Sequence, residues 1–193
     1  MMKHLTFDPE THTYRVEGEI IPSVTQILKD VGLIDTTFFA PEHAERGTRV
    51  HEATVFWDET GMDDDTLPEE WVGYLSAWKK FREETGFVPS HIEQAFCCDE
   101  GYAGTVDRIG KTHKINPLLL DIKTGPSQPW HRLQLAAYAL LVKRELNIPI
   151  WDMWGVHLRK DGIYAVESYK SIEHSADWLA VLRVYHIKQG AIK

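Results

Sequence analysis

The sequence predicts an α/β fold in which a mixed central β-sheet is flanked by helices. Two observations lead there. Segments 91–98, 102–110 and 115–123 are short, rich in β-formers and separated by turn residues such as Gly101 and Asn116-Pro117, so they read as three successive strands, a meander. Around them the apolar residues recur at helical spacing, and a helix, a strand pair and a final helix follow, which makes one layered α/β body.

In order along the chain, residues 4–21 read as short strands and turns, carried by Leu5, Phe7, Tyr14, Val16 and Ile20 around Asp8-Pro9 and Glu17-Gly18. Ser23 is a plausible cap for a helix through Val24, Ile27, Leu28 and Val31, which Gly32 can stop. A second helix is expected over about 41–58, loosened near Gly47. The third runs over about 68–85 to Gly86; its stripe of Trp71, Tyr74, Leu75, Trp78 and Phe81 reads as core rather than as a base-stacking platform. After the meander, a helix over 129–146 is marked by Leu133, Leu135, Ala136, Ala139, Leu140 and Val142. A strand pair over 150–158 and 162–170 turns at Asp161-Gly162, and a last helix spans 172–188.

The totals narrow the function classes. A chain of 193 residues, 43% hydrophobic and 26% charged, can bury a core without disulfides or structural metal. No run of 18 apolar residues occurs, so no membrane helix is expected, and MMKHLTFDPETHTY reads as strand and turn rather than as a signal peptide; the expected location is cytoplasmic. Cys97 and Cys98 are adjacent, so on a strand they point to opposite faces and read as packing residues. Two cysteines cannot supply the four thiolates of an iron–sulfur cluster, and none is expected. The net charge of −8 argues at first against a nucleic-acid partner. Residues 58–70, DETGMDDDTLPEE, hold seven of the acids and no Lys or Arg, leaving about −1 for the rest, compatible with a local basic groove. That stretch lacks the ligand spacing of an EF-hand and reads as a solvated loop.

Two segments carry chemistry: Gly104-Thr105-Val106-Asp107-Arg108-Ile109, and Leu118-Leu119-Leu120-Asp121-Ile122-Lys123-Thr124-Gly125. Antiparallel pairing through the intervening turn would bring Asp107 and Asp121 within reach of one ion. Two carboxylates and a backbone carbonyl make a hard oxygen site that suits Mg²⁺ or Mn²⁺. Asp121 and Lys123 are two apart on a strand and so share a face, and the apolar Leu118-Leu119-Leu120 run implies burial on both faces. Charges at the end of such a strand are costly unless paired or metal-bound. A plain Asp–Lys surface pair is the alternative for Asp121-Ile122-Lys123 taken alone.

These two segments, with Gln134-Leu135-Ala136-Ala137-Tyr138 after them and Gly47-Thr48-Arg49-Val50-His51 before them, resemble the PD-(D/E)XK nuclease superfamily, in particular its RecB-like exonuclease branch. The resemblance covers about residues 40–140, with Val106-Asp107 standing where the family commonly has proline-aspartate. It implies a restriction-endonuclease-like core and a single nuclease domain over 1–193, with strands and helices in 1–90 and the nuclease core in 91–193. It further implies that His51, Asp107, Asp121 and the Ile122 carbonyl bind Mg²⁺ (or Mn²⁺), and that Lys123 orients the attacking water and stabilises the transition state. Gln134 and Tyr138, i and i+4 on one helix, would face Lys123 or the scissile phosphate, and Glu93 would support the site from the preceding strand. Arg46, Arg49, Arg108, Lys111, Lys114 and Arg132 cluster around the motifs as phosphate-contact candidates.

The activity implied is metal-dependent DNA hydrolysis, as an exonuclease, in recombination, repair or replication, alongside protein partners of those processes. No Gly-x-x-x-x-Gly-Lys-Thr loop is present to support a motor. A non-catalytic nucleic-acid-binding or assembly module with the same fold is the alternative, and the intact Asp107, Asp121 and Lys123 set speaks against it. A zinc hydrolase is disfavoured by the absence of His-Glu-x-x-His.

Overall fold

The computed structural model describes residues 4–9, 11–35 and 41–190. Three short strands, β1 (Leu5–Asp8), β2 (Thr13–Val16) and β3 (Glu19–Ile21), form an antiparallel meander of their own. Helices α1 (Val24–Asp30), α2 (Pro41–Thr60) and α3 (Val72–Thr85) follow, then strands β4 (Val88–Cys97), β5 (Ala103–Lys111) and β6 (Leu118–Lys123). Helix α4 (His131–Leu146) crosses over to β7 (Asp152–Leu158), which pairs with β8 (Tyr164–Lys170), and α5 (Ser171–Lys188) closes the order. The main sheet runs β4-β5-β6-β7-β8, antiparallel except for the parallel β6/β7 pair that the α4 crossover allows. This is the mixed sheet flanked by helices that the sequence predicts.

Local chemistry sets the element ends. The Ser23 hydroxyl accepts the Gln26 N–H at 3.0 Å and caps α1, a contact of about 1 kcal/mol. Gly86 ends α3 with φ 62°, in the left-handed region that favours glycine. Asn147 does the same for α4 at φ 55°, and Asn tolerates this region better than most residues.

Each face of the sheet has its own core. Leu119 and Met153 pack under α4, α5 and α1 with Ile27, Leu28, Ala136, Leu141 and Trp178. Leu118, Leu120 and Ile122 point the other way, against Trp71, Leu75, Trp78 and Phe81 of the α3 region and Val50 and Ala53 of α2. The α3 aromatic stripe is therefore core. Full burial of each leucine of β6 contributes about 1.5–3 kcal/mol, which anchors the strand that carries Asp121 and Lys123.

Two expectations are corrected. Helix α2 is continuous from Pro41 to Thr60 and is not loosened at Gly47. One interior glycine costs only about 1 kcal/mol, and the flanking turns keep their hydrogen bonds. Nor is the 58–70 stretch wholly a solvated loop: α2 includes Asp58, whose carboxylate is fully buried between Arg82 and Arg108 and accepts the Trp78 indole N–H at 3.1 Å. Cys97 and Cys98 are both buried, and neither forms a disulfide.

Candidate active site

Strand register assembles the site. The β5/β6 ladder ends on the pair Arg108↔Leu120, and its register continued by one residue would put Asp107 across from Asp121 at the open end of the two strands. On the other side, Ile92↔Arg108 and Gln94↔Val106 flank Glu93 and Asp107, which stand opposite each other. Residues directly opposite share a face, so Glu93, Asp107 and Asp121 form a row of three carboxylates across three strands. Glu93 has φ 45°, uncommon for a residue with a side chain and a form of strain that concentrates at functional sites.

Helix α2 brings His51 onto this row. Its Nε2 donates to the Ile122 carbonyl at 3.0 Å, and its Nδ1 faces Glu93 Oε1 at 3.3 Å and Asp107 Oδ2 at 3.8 Å. Asp107 Oδ2 also accepts the Ile122 N–H at 2.6 Å, which locks the carboxylate to the end of β6. Lys123 Nζ lies 2.5 Å from Asp121 Oδ2 and donates to Gln134 Oε1 at 2.7 Å. Gln134 Nε2 in turn donates to the Tyr138 hydroxyl at 3.0 Å. The ring of Trp130 lies under the ammonium, its centroid 5.4 Å from Nζ, a cation–π contact that further fixes Lys123.

Gly104 explains the glycine of the β5 motif. A Cβ built there would lie 2.6 Å from Cε1 of the buried Tyr138 ring, so only glycine lets that ring lie against β5.

The electrostatics follow from crowding like charges in a desolvated place. Burial raises the Asp107 carboxyl to about 7; the Asp121 and Glu93 charges add to the effect and His51 opposes it. Burial alone would lower His51, but Asp107, Glu93 and Asp121 outweigh it and lift the imidazole to about 9. Burial also raises Tyr138, so its phenol stays protonated.

This donor set fits a divalent cation. Ligand atoms of His51, Glu93 and Asp107 lie within 4.8 Å of one another. The buried Asp121 Oδ2 has no well-directed hydrogen bond, since its close contact with Lys123 is an ion pair without hydrogen-bond alignment. The two carboxylates and one imidazole of the His51, Glu93 and Asp107 group make an oxygen-rich set for a hard cation, whose charge would offset the burial that holds a proton on Asp107. Asp121 stands beside them on Lys123. The Ile122 carbonyl already accepts from His51 and keeps a second lone pair.

Of the other sequence candidates, Glu93 belongs to the cluster itself rather than standing behind it. Arg108 is corrected: its guanidinium is 0% exposed and committed to Asp58 (2.8 Å), Glu93 (3.0 Å) and Thr54 (3.0 Å), so it cannot reach a phosphate. Arg49 turns to Glu52, Asp64 and Thr66. Arg132 donates to the Pro129 carbonyl at 2.7 Å, and Lys111 and Lys114 are exposed in the β5–β6 turn region. Arg46 lies in a groove beside the site with its buried Nε unpartnered. Sequence reasoning missed Trp130, although its i, i+4 spacing to Gln134 places both on one helix face. It also missed Phe7, His12 and Tyr14 of the N-terminal meander, which line the cleft of about 650 Å³ above the carboxylates. Nothing in their spacing marks them.

The model of the PD-(D/E)XK nuclease superfamily matches residues 38–183, well over half of the chain. The chain belongs to that superfamily. It is thus a nuclease, a hydrolase of phosphodiester bonds with a nucleic acid as substrate, in a superfamily whose members use divalent metals. A crystal structure of a Eubacterium rectale protein, provisionally named an exonuclease, superposes with a TM-score of 0.50 at 9% identity, over 91% of this chain and 77% of that one. At that identity the likeness shows the fold. The structure of SSO0001 aligns with a TM-score of 0.39 at 14% identity, over 86% of this chain and 85% of that one, and supports no inference. No curated protein matches the sequence.

Proposed function

We propose that this chain is a Mg²⁺-dependent deoxyribonuclease that degrades DNA from its ends. The observation that supports this best is the row of Glu93, Asp107 and Asp121 beside Lys123 at the junction of two grooves. The cleft of about 650 Å³ and a second groove of about 1210 Å³ share Gly47, His51, Ile122 and Lys123. The second groove carries Arg46, Arg159 and Lys160, and the first carries Phe7 and His12. A strand whose phosphates run along the second groove past Arg46 and Lys160 would present one phosphodiester to Lys123 and its terminal base to the aromatic cleft.

His51, Glu93, Asp107 and Asp121 would hold the cation. When bound, it supplies Lewis-acid polarisation of the phosphate and acidification of a water. Lys123, held by Asp121, Gln134 and Trp130, is placed to orient the attacking water and to meet the charge that grows on the phosphate. Gln134, itself held by Tyr138, gives the ammonium a second anchor beside Asp121. The exonuclease reading rests on the RecB-like motifs, as does service in recombination, repair or replication.

End-labelled linear DNA, covalently closed circular DNA and RNA of the same sequence, each with Mg²⁺, test the reading. Loss of linear DNA with circles and RNA spared is expected. Cutting of circles makes the enzyme an endonuclease, cleavage of RNA alone replaces the substrate, and inertness toward all three points to a binding module.

A further inference from the structure

On the same face of the sheet, beyond the catalytic row, lies a second cluster of ligating side chains: His131 in the first turn of α4, His157 on β7 and Glu167 on β8. The register continues the row. Asp121 pairs with Gly155, Gly155 pairs with Glu167, and Lys123 pairs with His157. The cluster is therefore one strand over from the catalytic lysine, in the groove that also holds Lys123.

We propose that His131, His157 and Glu167 form a second cation site, of the kind that takes Zn²⁺ or another borderline transition metal.

The donor chemistry differs from that of the first site. Two imidazoles and one carboxylate suit Zn²⁺, Co²⁺ or Ni²⁺ rather than Mg²⁺. Ligand atoms of all three residues lie within 4.8 Å of one another. His157 Nε2 and Glu167 Oε2 are 3.3 Å apart, close to the edge of roughly 3.4 Å in a tetrahedron with metal–ligand bonds of about 2.0–2.1 Å. His157 is oriented as a ligand would be: its Nδ1–H donates to the Gly125 carbonyl at 3.0 Å, which turns Nε2 toward the cluster. Glu167 Oε2 accepts the Tyr169 hydroxyl at 2.7 Å, the usual outer contact of a ligating carboxylate. His131, buried beside Lys123 and His157, is held neutral, the form a ligand needs. Its Nδ1 takes a long 3.3 Å bond from the Gln128 N–H, weak enough to yield when the ring turns to complete the site.

The site would act on the loop between β6 and α4. Gly125 is tied to His157 and Gln128 to His131, while Lys123 and Trp130 stand at the two ends of that loop. A metal joining α4 to β7 and β8 would clamp it, and so hold Lys123 and Gln134 in register. The alternative for the same side chains is a protonated His157 paired with Glu167, with His131 packed beside it.

Counting bound Co²⁺ by equilibrium dialysis, with its visible absorption, decides between them. The parent, Glu167→Gln, and the Asp107→Asn/Asp121→Asn pair that silences the first site are compared. Glu167→Gln is expected to bind one Co²⁺ fewer per chain than the parent, because its affinity at this site falls about 10–100-fold or more. The Asp107→Asn/Asp121→Asn protein is expected to keep one Co²⁺ that adding Glu167→Gln removes. Unchanged stoichiometry in Glu167→Gln, or no Co²⁺ on the parent, overturns the proposal. If the double variant fails to fold by circular dichroism, the parent against Glu167→Gln comparison decides alone.

Discussion

Among single residues, Asp107 and His51 have the sharpest consequence. Both hold protons more tightly than the ordinary groups do, Asp107 up to about 7 from 3.8 and His51 up to about 9 from 6.5. The sign is the same for both. In the metal-free protein their contribution to stability is complete below the ordinary values and is lost as pH rises through about 7 and about 9. A cation must displace these protons, so its affinity should climb with pH, by up to tenfold per unit for each proton released. Mn²⁺ titration between pH 6 and 9 measures this, and a pH-independent affinity would show that neither group is a ligand. Gly104 is the other residue with a defined prediction. Gly104→Ala forces the Tyr138 ring aside, so we expect a loss of about 1–3 kcal/mol in urea denaturation and a slower enzyme as Gln134 and Lys123 shift.

At the scale of elements, the buried Arg108 joins β5 to α2. Its guanidinium meets Asp58 of α2 and Glu93 of β4, and the Trp78 ring lies 5.6 Å away. Arg108→Met should cost on the order of 3 kcal/mol, the low end for a broken buried pair, because Arg82 and His51 still hold the two acids. Adding Asp58→Asn should recover part of that loss in the same denaturation experiment; a further additive loss would mean the ion pair is not the cause. This tie also shows where sequence reasoning stops. The elements were legible because periodicity, caps and turn glycines are local, as Ser23 and Gly86 illustrate. Arg108 read as a phosphate contact because it stands beside Asp107 in the chain, and adjacent strand residues face opposite sides of a sheet. Asp58 read as part of a solvated stretch for the same reason: its partners are 24 and 50 residues away.

For the whole molecule, the β5–β6–α4 half of the site was legible because its motif residues lie within about 35 positions and register carries them together. His51 needed the family resemblance, since α2 reaches the row only in three dimensions. The cleft wall made by the N-terminal meander, with Tyr14 bonded to Thr105 at 2.8 Å, leaves no mark in spacing at all. The two grooves meet at Lys123, where one metal-dependent site would cleave phosphodiesters with the lysine as its cationic arm. Single-turnover cleavage of linear DNA in Mg²⁺, parent against Lys123→Ala, tests it most directly. We expect a rate lower by about 10²–10³-fold in the variant, with its fold intact by circular dichroism. An equal rate in parent and variant, or a parent rate that survives EDTA, would contradict it.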